Sequence, residues 1–382
     1  MPRDDKAIDR YKRFVSVQEI FPVHGVGIIT RKDKLTIRWS EEEIWTTVLN
    51  FSRLDPELAR SAYNLGEDTT NWKVARAQRD ISSTGPRRRN VVPILYRPFD
   101  IRYTYYTGRS SGFHSRPCRE VMRHMLAGEN VSLITPKQHK DEFGAFIATS
   151  VGAHKTVAAH DINYYFPLYL YPDTGRDDLF SQHEPNERQP NLNAELVRTL
   201  AMAYGEEPSP EEVFHYVYAV LYAPSYREKY AEFLRIGFPR IPFTSDYALF
   251  KEMAGLGKRL VELHLLRSPV LDPPIARFQG EGDGKVETGK KGLRYDPGSE
   301  GVYINETQYF EGVSPEVWEY HIGGYQVCHK WLKDRKSRAL SLDEIRTYCR
   351  IVTALARTIE IQQAIEKLYS AIEAKVSKIK VE

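Results

Sequence analysis

From Ser341 to the C-terminus the sequence predicts one long amphipathic helix, and this helix restricts the fold more than any other feature. Ser341 and Glu344 match a capping box, in which each side chain accepts a hydrogen bond from the backbone N–H of the other residue. Apolar residues then recur every three or four positions, in two runs that differ in phase: Ile345, Tyr348, Val352, Leu355 and Ile359, then Ile361, Ile365, Leu368, Ile372, Val376 and Ile379. So long an apolar stripe requires another helix or another protein to cover it.

Other segments predict shorter helices and short strands. Ser209 and Glu212 form a second capping box, with Pro210 at the first helical position. A further helix is expected from Asp246 to about Leu266, with Ser245 as its cap. Four β-prone runs lie earlier in the chain: Val91–Tyr106, Val131–Thr135, Phe143–Thr149 and Tyr164–Tyr171. The expected fold class is α+β (mixed α/β), with short-strand mixed sheets, packed helices and a long C-terminal helix.

Composition limits the class of protein. The chain has 382 residues, of which 41% are hydrophobic, and this suffices for an ordinary buried core. It has no apolar run of the roughly 18 residues that a membrane span needs, and its first residues are charged where a signal peptide would be apolar. Three widely separated cysteines, Cys118, Cys328 and Cys349, fit a reducing compartment without a disulfide framework. We therefore expect a cytoplasmic protein.

Positive charge is concentrated in one segment. Between Arg87 and Lys140 there are 11 Lys and Arg but only three acidic residues, whereas the rest of the chain carries 43 basic and 48 acidic residues. A local excess of this size attracts polyanions, while the net charge of the whole chain is only +3. Nucleic acid is the first candidate partner.

Catalytic motifs fail on residue type or on context. Gly284–Lys290 resembles a phosphate-binding loop, but Lys291 stands where Ser or Thr should hold magnesium, and no buried strand precedes it. The nearest match to a DNA methyltransferase motif is Asp272–Ile275, in which Ile275 replaces the aromatic residue that should stack on a flipped base. No cluster of carboxylates with a nearby lysine indicates a metal-dependent nuclease. Catalysis by this chain is therefore not expected from its motifs.

The basic residues form a more coherent pattern. Arg116, Arg119 and Arg123 are spaced i, i+3, i+7, so a helix from Arg116 to Leu126 would carry them on one ridge able to follow a phosphate backbone. The segment Lys137–Lys140 combines phosphate-binding lysines with amide and imidazole groups that can read base edges. The residues expected to bind DNA are Arg87, Arg88 and Arg89 as a mobile clamp, Arg109 on a glycine-rich loop, Arg116, Arg119, Arg123, Lys137, His139, Lys140, and a second cluster of Lys330, Lys333 and Arg335.

Each of these residues also has a structural interpretation. A single basic residue can be a solvated surface charge, and His139 can be a solvated surface histidine. Arg97 and Arg102 flank Asp100, and a buried ion pair would make them framework residues that do not contact DNA.

Several stretches together resemble one family, the C-terminal target-recognition (specificity) region of type ISP restriction-modification enzymes. The resemblance runs in order over nearly the whole chain, and the ordered set of pieces is more specific than any piece alone. The matching stretches are Phe21-Pro22 with Gly27–Thr30, Tyr96–Arg102, Arg119–Met122, Phe166–Tyr171, Tyr218–Leu221 with Tyr226-Arg227, Phe238–Pro242, Ile322–Val327 and Lys330–Arg335.

The resemblance implies a division of labour. In that family one long polypeptide joins a nuclease, an ATP-driven translocase and an adenine-N6 methyltransferase to this region, which contacts the DNA target. Residues 1–90 would then join to the methyltransferase part, 91–270 would form a basic α/β DNA-recognition unit with a helical second half, and 271–382 would form a hairpin region and the long helix. No cofactor is expected in this chain, whereas S-adenosylmethionine, ATP and Mg would serve the other domains.

Our sequence-based hypothesis is sequence-specific binding of double-stranded DNA, as the specificity domain of a type ISP enzyme. The other partners would be the methyltransferase and translocase/nuclease domains, in cis or in trans, and no membrane. Two alternatives stay open: a diverged DNA methyltransferase or nuclease in its own right, and a restriction-complex assembly subunit that docks through its terminal helix.

Overall fold

The computed structural model describes residues 5–83, 85–173, 188–289 and 291–376. Lys290 of the phosphate-loop-like motif and Ile379 of the apolar stripe lie outside these ranges. No helix in the described ranges combines the length and the apolar character needed to cross a membrane.

The helices of these ranges are, in chain order, α1 (Asp5–Lys12), α2 (Val17–Ile20), α3 (Asp33–Thr36), α4 (Glu41–Arg53), α5 (Pro56–Ala62), α6 (Val74–Ser82), α7 (Arg119–Met122), α8 (Ala194–Tyr204), α9 (Pro210–Tyr222), α10 (Pro224–Lys229), α11 (Ala231–Ile236), α12 (Tyr247–His264), α13 (Pro315–Trp318), α14 (Val327–Lys333) and α15 (Leu342–Ala374). Single 3-10 turns occur at Arg88–Asn90, Arg123–Met125 and Pro269–Leu271.

The strands are short: β1 (Val15–Ser16), β2 (Gly25–Val26), β3 (Ile37–Arg38), β4 (Val91–Arg97), β5 (Asp100–Tyr105), β6 (Ser132–Pro136), β7 (Phe146–Ala148), β8 (Val151–Gly152), β9 (Asn163–Pro167), β10 (Tyr169–Leu170), β11 (Gln189–Pro190), β12 (Arg240–Ile241), β13 (Arg277–Gln279), β14 (Arg294–Asp296), β15 (Gly301–Tyr303), β16 (Tyr309–Glu311), β17 (His321–Ile322) and β18 (Tyr325–Gln326).

Three four-stranded sheets organise these strands. The central sheet has the antiparallel order β2-β9-β6-β7, and all five residues of β6 are buried. A second sheet, β3-β5-β4-β8, contains one parallel pair, between β4 and β8, which makes it mixed. The third sheet, β13-β16-β15-β14, is antiparallel and occupies the predicted hairpin region. The α+β class with short-strand mixed sheets is confirmed.

Helix α15 is capped as the sequence predicts and is covered by the same chain. The Ser341 hydroxyl accepts from the Glu344 N–H, and the Glu344 carboxylate accepts from the Ser341 N–H. Its apolar stripe packs against α9, α10 and α12, so that Ile361, Ile365 and Ile372 are at most 2% exposed. Within the described residues, the stripe is therefore covered by the chain itself.

Helix α9 is the centre of this helical layer. Nine of its residues are buried, and α12 packs closely against it. The cap of α12 is Asp246, one residue after the predicted Ser245, because the Asp246 carboxylate accepts from the N–H groups of Ala248 and Leu249. Buried polar contacts join the layers, since His264 bridges the Tyr218 hydroxyl (2.7 Å) and the Thr358 hydroxyl (2.9 Å). Burial lowers the pKa of His264 to about 3, so this bridge is neutral at physiological pH.

Two hydrophobic clusters lie beneath these elements. The smaller one runs from Leu35 to Phe113 and joins α4, α5 and α6 to β5. The larger one runs from Tyr11 to Ile372 and includes residues of every later part of the chain. The division at residues 90/91 and 270/271 stays a prediction, and side-chain packing crosses both boundaries.

The close approach of α9 and α12 yields a matched pair of substitutions. A Cβ atom added at Gly257 would overlap the His215 carbonyl oxygen, whereas one added at Gly255 on the same helix would meet nothing within 4 Å. We expect Gly257→Ala to lower the free energy of unfolding by about 1–3 kcal/mol through overpacking. Gly255→Ala should raise it by about 0.5–1 kcal/mol through helix propensity. Urea unfolding of both variants measures this, and equal effects would contradict the close approach.

Candidate nucleic-acid interface

One buried carboxylate, Asp100, binds two arginines that are far apart in the sequence. Asp100 is 1% exposed and accepts from Arg102 (Nη2, 2.7 Å) on one oxygen and from Arg335 (Nη2, 3.1 Å) on the other. Burial alone would raise the pKa of Asp100, but the two guanidiniums outweigh it and hold that pKa below its ordinary value. Arg335 also pairs with Glu344 at 3.0 Å. The carboxylate is therefore ionised and fully used inside the protein.

Arg335 was predicted to bind DNA, and the structure places it in the interior. Its side chain is 5% exposed, and its guanidinium stacks on Trp331 at 3.3 Å from the ring centroid. The positive charge of Arg335 is neutralised by Asp100 and Glu344, so it contributes little field at the surface. We remove it from the set of DNA-binding residues.

Stacking on aromatic rings fixes the neighbouring arginines. Arg102 lies 3.8 Å from the centroid of Trp39, and Arg97 lies 3.9 Å from that of Tyr96. Arg102 forms the ion pair with Asp100 that the sequence suggested, while Arg97 is held by stacking and by the Tyr96 carbonyl (2.6 Å). Both are framework residues.

The predicted arginine ridge at 116–123 is wrong as a helix. Arg116 is extended and pairs with Ile29 through two backbone hydrogen bonds, because a residue before proline disfavours the helical region. Cys118 then has a positive φ of 52°, and α7 begins only at Arg119. Helix α7 has four residues and passes into a 3-10 turn at Arg123. Arg116 is exposed but does not share a helical face with the other two arginines.

Arg119 and Arg123 nevertheless lie together beside the end of β9. Arg119 is 53% exposed and pairs with Asp173 at 3.0 Å, and Arg123 donates to the Tyr171 carbonyl at 2.9 Å. An exposed ion pair such as that of Arg119 contributes at most about 1 kcal/mol, so a phosphate can replace the carboxylate at low cost.

A real basic ridge occurs on α6, outside the segment that the charge count selected. The ridge consists of Arg76 and Arg79, spaced i, i+3 and both exposed, while Val74, Ala77 and Ile81 are buried. Ser83, the residue after the helix, continues this face at i+7. Neither arginine forms an ion pair with a carboxylate in the described ranges. Alternation of basic and apolar residues at helical spacing could have revealed this ridge in the sequence.

Contacts connect this ridge to two of the predicted residues. Arg109 donates to the Ser83 hydroxyl at the C-terminal end of α6 and lies 3.9 Å from the buried Asp80 carboxylate. The preceding loop position, Gly108, lies against the side chain of Arg119, since a Cβ atom there would be 3.4 Å from its Cδ. We call the set Arg76, Arg79, Arg109 and Arg119 the cationic track.

The three consecutive arginines lie in an anchored turn. The 3-10 turn Arg88–Asn90 is held by the Tyr105 hydroxyl, which accepts from the Arg87 N–H (3.0 Å) and from the Asn90 side chain (3.2 Å). Arg88 pairs with Glu42, whereas Arg89 is exposed without an ion pair to a described carboxylate.

The loop 137–140 lies at the opposite end of the central sheet from Arg123. It follows the C-terminal end of β6, whereas Tyr171, which Arg123 contacts, follows the C-terminal end of the antiparallel neighbour β9. Lys137 and Lys140 are exposed, but His139 is 7% exposed. The hairpin β17–β18 packs against this loop, because Gly324 lies against the Asp141 carboxylate.

The second basic cluster adjoins that hairpin. Lys330 on α14 pairs with Asp334, its ammonium lies 5.9 Å from the Tyr325 ring centroid, and Lys333 is exposed. Of the predicted DNA-binding residues, Arg109 and Arg119 thus belong to the cationic track, whereas Lys137, Lys140, Lys330 and Lys333 lie around the loop 137–140 and α14.

The described residues contain no group of three His, Cys, Asp or Glu side chains placed to hold a metal ion. Burial lowers the pKa of His114 and of His124 to about 4. Both rings are used in structural hydrogen bonds, with the Thr104 hydroxyl and the Tyr171 N–H.

Comparison with known families identifies the domain. The family model of the Type ISP C-terminal specificity domain matches residues 19–364. The chain belongs to this family. The resemblance inferred from sequence is thereby confirmed, and the match includes both regions described above. A search of the curated proteins gave no match.

Solved structures share the fold of this specificity domain. A DrdV–DNA complex matches with a TM-score of 0.69 at 21% identity, covering 91% of this chain and 36% of that chain. A nuclease-deletion mutant of the Type ISP restriction-modification enzyme LlaGI, in complex with a DNA substrate mimic, matches with a TM-score of 0.66 at 17% identity. This match covers 95% of this chain and 34% of that chain. The ATP-dependent Type ISP restriction-modification enzyme LlaBIII, bound to DNA, matches with a TM-score of 0.68 at 16% identity. This match covers 93% of this chain and 24% of that chain. The chain thus spans about a quarter to a third of each.

The buried network predicts a specific stability loss. Asp100→Asn leaves Arg102 and Arg335 without their shared counter-charge and should lower the free energy of unfolding by about 3–5 kcal/mol at pH 7. The pKa of Asp100 is lower in the folded protein than in the unfolded chain, so the carboxylate stabilises the fold above pH ~4 and loses this effect as the pH falls further. The difference between wild type and variant should therefore shrink in acid.

Urea unfolding at pH 7 and at several values below pH 4 measures this difference. Glu42→Gln is the control, because it removes only the exposed pair with Arg88 and should leave the midpoint unchanged. If the free energy of unfolding of the Asp100 variant stayed below that of the wild type by the same amount at every pH, the ionised network would be contradicted.

Proposed function

We propose that this chain binds double-stranded DNA and selects the target sequence of a Type ISP restriction-modification enzyme. Methylation of adenine and restriction would be carried out by other domains, in cis or in trans, with S-adenosylmethionine, ATP and Mg as their cofactors. The observation that carries the proposal is the match of residues 19–364 to a family of specificity domains.

The charge distribution supports DNA as the ligand. The cationic track presents four guanidiniums along connected elements, and those on α6 have no carboxylate partner in the described ranges. Binding of arginine to phosphate releases counterions, so it supplies affinity that does not depend on sequence and that falls as salt rises. Side chains on the loops between these anchors would supply the discrimination between sequences.

The assembly alternative loses its original support. It rested on an apolar stripe of the terminal helix that needed an outside partner, and α15 is covered by α9, α10 and α12 of the same chain. Deleting residues 341–382 would remove part of the main core, so loss of complex formation in such a variant would report unfolding.

Salt dependence of DNA binding tests the proposal and the track together. The logarithm of the binding constant should fall linearly with the logarithm of salt concentration. Arg76→Gln/Arg79→Gln should reduce the slope by about 2, because each arginine that no longer neutralises a phosphate removes about one unit. The measurement is fluorescence anisotropy of a labelled duplex titrated with the full chain at several salt concentrations.

The matched control is Lys258→Gln/Arg259→Gln, which removes the same charge from exposed positions on α12. Helix α12 packs against α9, α15 and β7, whereas α6 packs against α4 and α5. It should leave the slope nearly unchanged. The proposed function would be abandoned if binding to a duplex ignored salt, or if no sequence were preferred over random competitor DNA by the ~10³-fold or more that specific binders reach.

A further inference from the structure

The loop that follows β6 is held rigidly by its third residue. The His139 Nδ1 lies 2.7 Å from the Asp141 carbonyl oxygen and therefore donates to it, and the His139 backbone N–H donates to the Arg235 carbonyl at 3.3 Å. The Lys140 backbone N–H donates to the Asp161 carboxylate at 2.9 Å. One local hydrogen bond and two hydrogen bonds to distant residues thus hold His139 and Lys140 in place.

The other side chains of this loop point outward. Lys137, Gln138 and Lys140 are all exposed, and the Lys137 ammonium lies 5.7 Å from the centroid of the Phe238 ring. Phe238 is itself packed edge-on against Tyr164 and Phe166 of the central sheet. The Lys137 side chain therefore lies against a packed aromatic cluster.

The Gln138 amide makes no hydrogen bond to any residue in the part of the chain that the structure describes, and neither flanking lysine forms an ion pair there. The Gln138 amide thus presents a donor and an acceptor in one plane to solvent, between the ammonium groups of Lys137 and Lys140. Glutamine pairs with adenine through N6 and N7 in the major groove, and lysines bind the phosphates on either side.

We propose that Gln138 reads an adenine edge in the major groove, with Lys137 and Lys140 on flanking phosphates and His139 as the positioning residue beneath it. This inference rests on the proposed function, because it names the base-reading side chain of the same DNA-binding domain. It changes the role expected of His139, which anchors the loop from inside and does not itself contact DNA.

The position of the loop agrees with this role. Strand β6 has five residues, so the loop stands about 17 Å from the turn at the other end of the strand, where Arg119 and Arg123 lie. A distance of about 17 Å corresponds to roughly five base-pair steps of ~3.4 Å each, so even a short duplex is long enough to extend from one end of the strand to the other.

Selection from a pool of duplexes with a randomised central region tests the assignment and does not require the target sequence to be known. The full chain and its variants are incubated with the pool, and the bound DNA is sequenced. Wild type should enrich a motif that contains an adenine, and Gln138→Ala should reduce the preference at that one position by about fivefold or more while the rest of the motif persists. Lys137→Ala should weaken binding to all sequences alike.

The positioning role of His139 has its own readout. His139→Ala should reduce the base preference at the same position of the motif as Gln138→Ala does. His139→Asn should restore part of that preference, because the asparagine amide can also donate towards the Asp141 carbonyl. Thermal unfolding of each variant confirms that the fold is kept.

The outcomes separate the two proposals. A wild-type motif that Gln138→Ala leaves unaltered would overturn the assignment of Gln138 and leave the proposed function standing. A wild-type chain that enriches no motif at all would overturn both.

Discussion

The ion pair network around Asp100 is the constraint on which the rest of the molecule depends. A carboxylate that is 1% exposed tolerates its charge only because Arg102 and Arg335 donate to it from two directions. Arg335 then connects to Glu344 at the start of α15, so one network ties the second sheet to the last two helices. Removing any partner would leave an uncompensated charge in the core.

This network also explains which basic residues remain for a ligand. Two of the arginines that contribute to the positive charge, Arg102 and Arg335, are paired with Asp100 and stacked on Trp39 and Trp331, so they are not available to a ligand. The charge left at the surface is divided between the cationic track and the opposite end of the central sheet. Folding thus sorts arginines that are equivalent in composition into framework and surface groups.

Sequence patterns predicted well what local chemistry decides. The capping boxes at Ser209 and Ser341 and the α+β class depend on neighbouring residues and on periodicity. The arginine ridge failed because Pro117 extends Arg116, and a spacing rule without that restriction cannot detect it. The burial of Arg335 was not accessible from sequence, since its partner Asp100 lies 235 positions away. The ridge on α6 was accessible, but a count of charge alone passed over it.

The distance along the chain between Asp100 and Arg335 has a consequence for biosynthesis. A ribosome must add 235 residues after Asp100 before the second guanidinium exists, and further residues before Glu344 can complete the network. Contacts of such long range slow folding. In an incomplete chain the Asp100 carboxylate stays hydrated, although the finished core must bury it. Completion of this core therefore waits until the segment that carries Arg335 and Glu344 has been synthesised. A chain truncated before Arg335 is expected to be a substrate for proteolysis instead of a partly active domain.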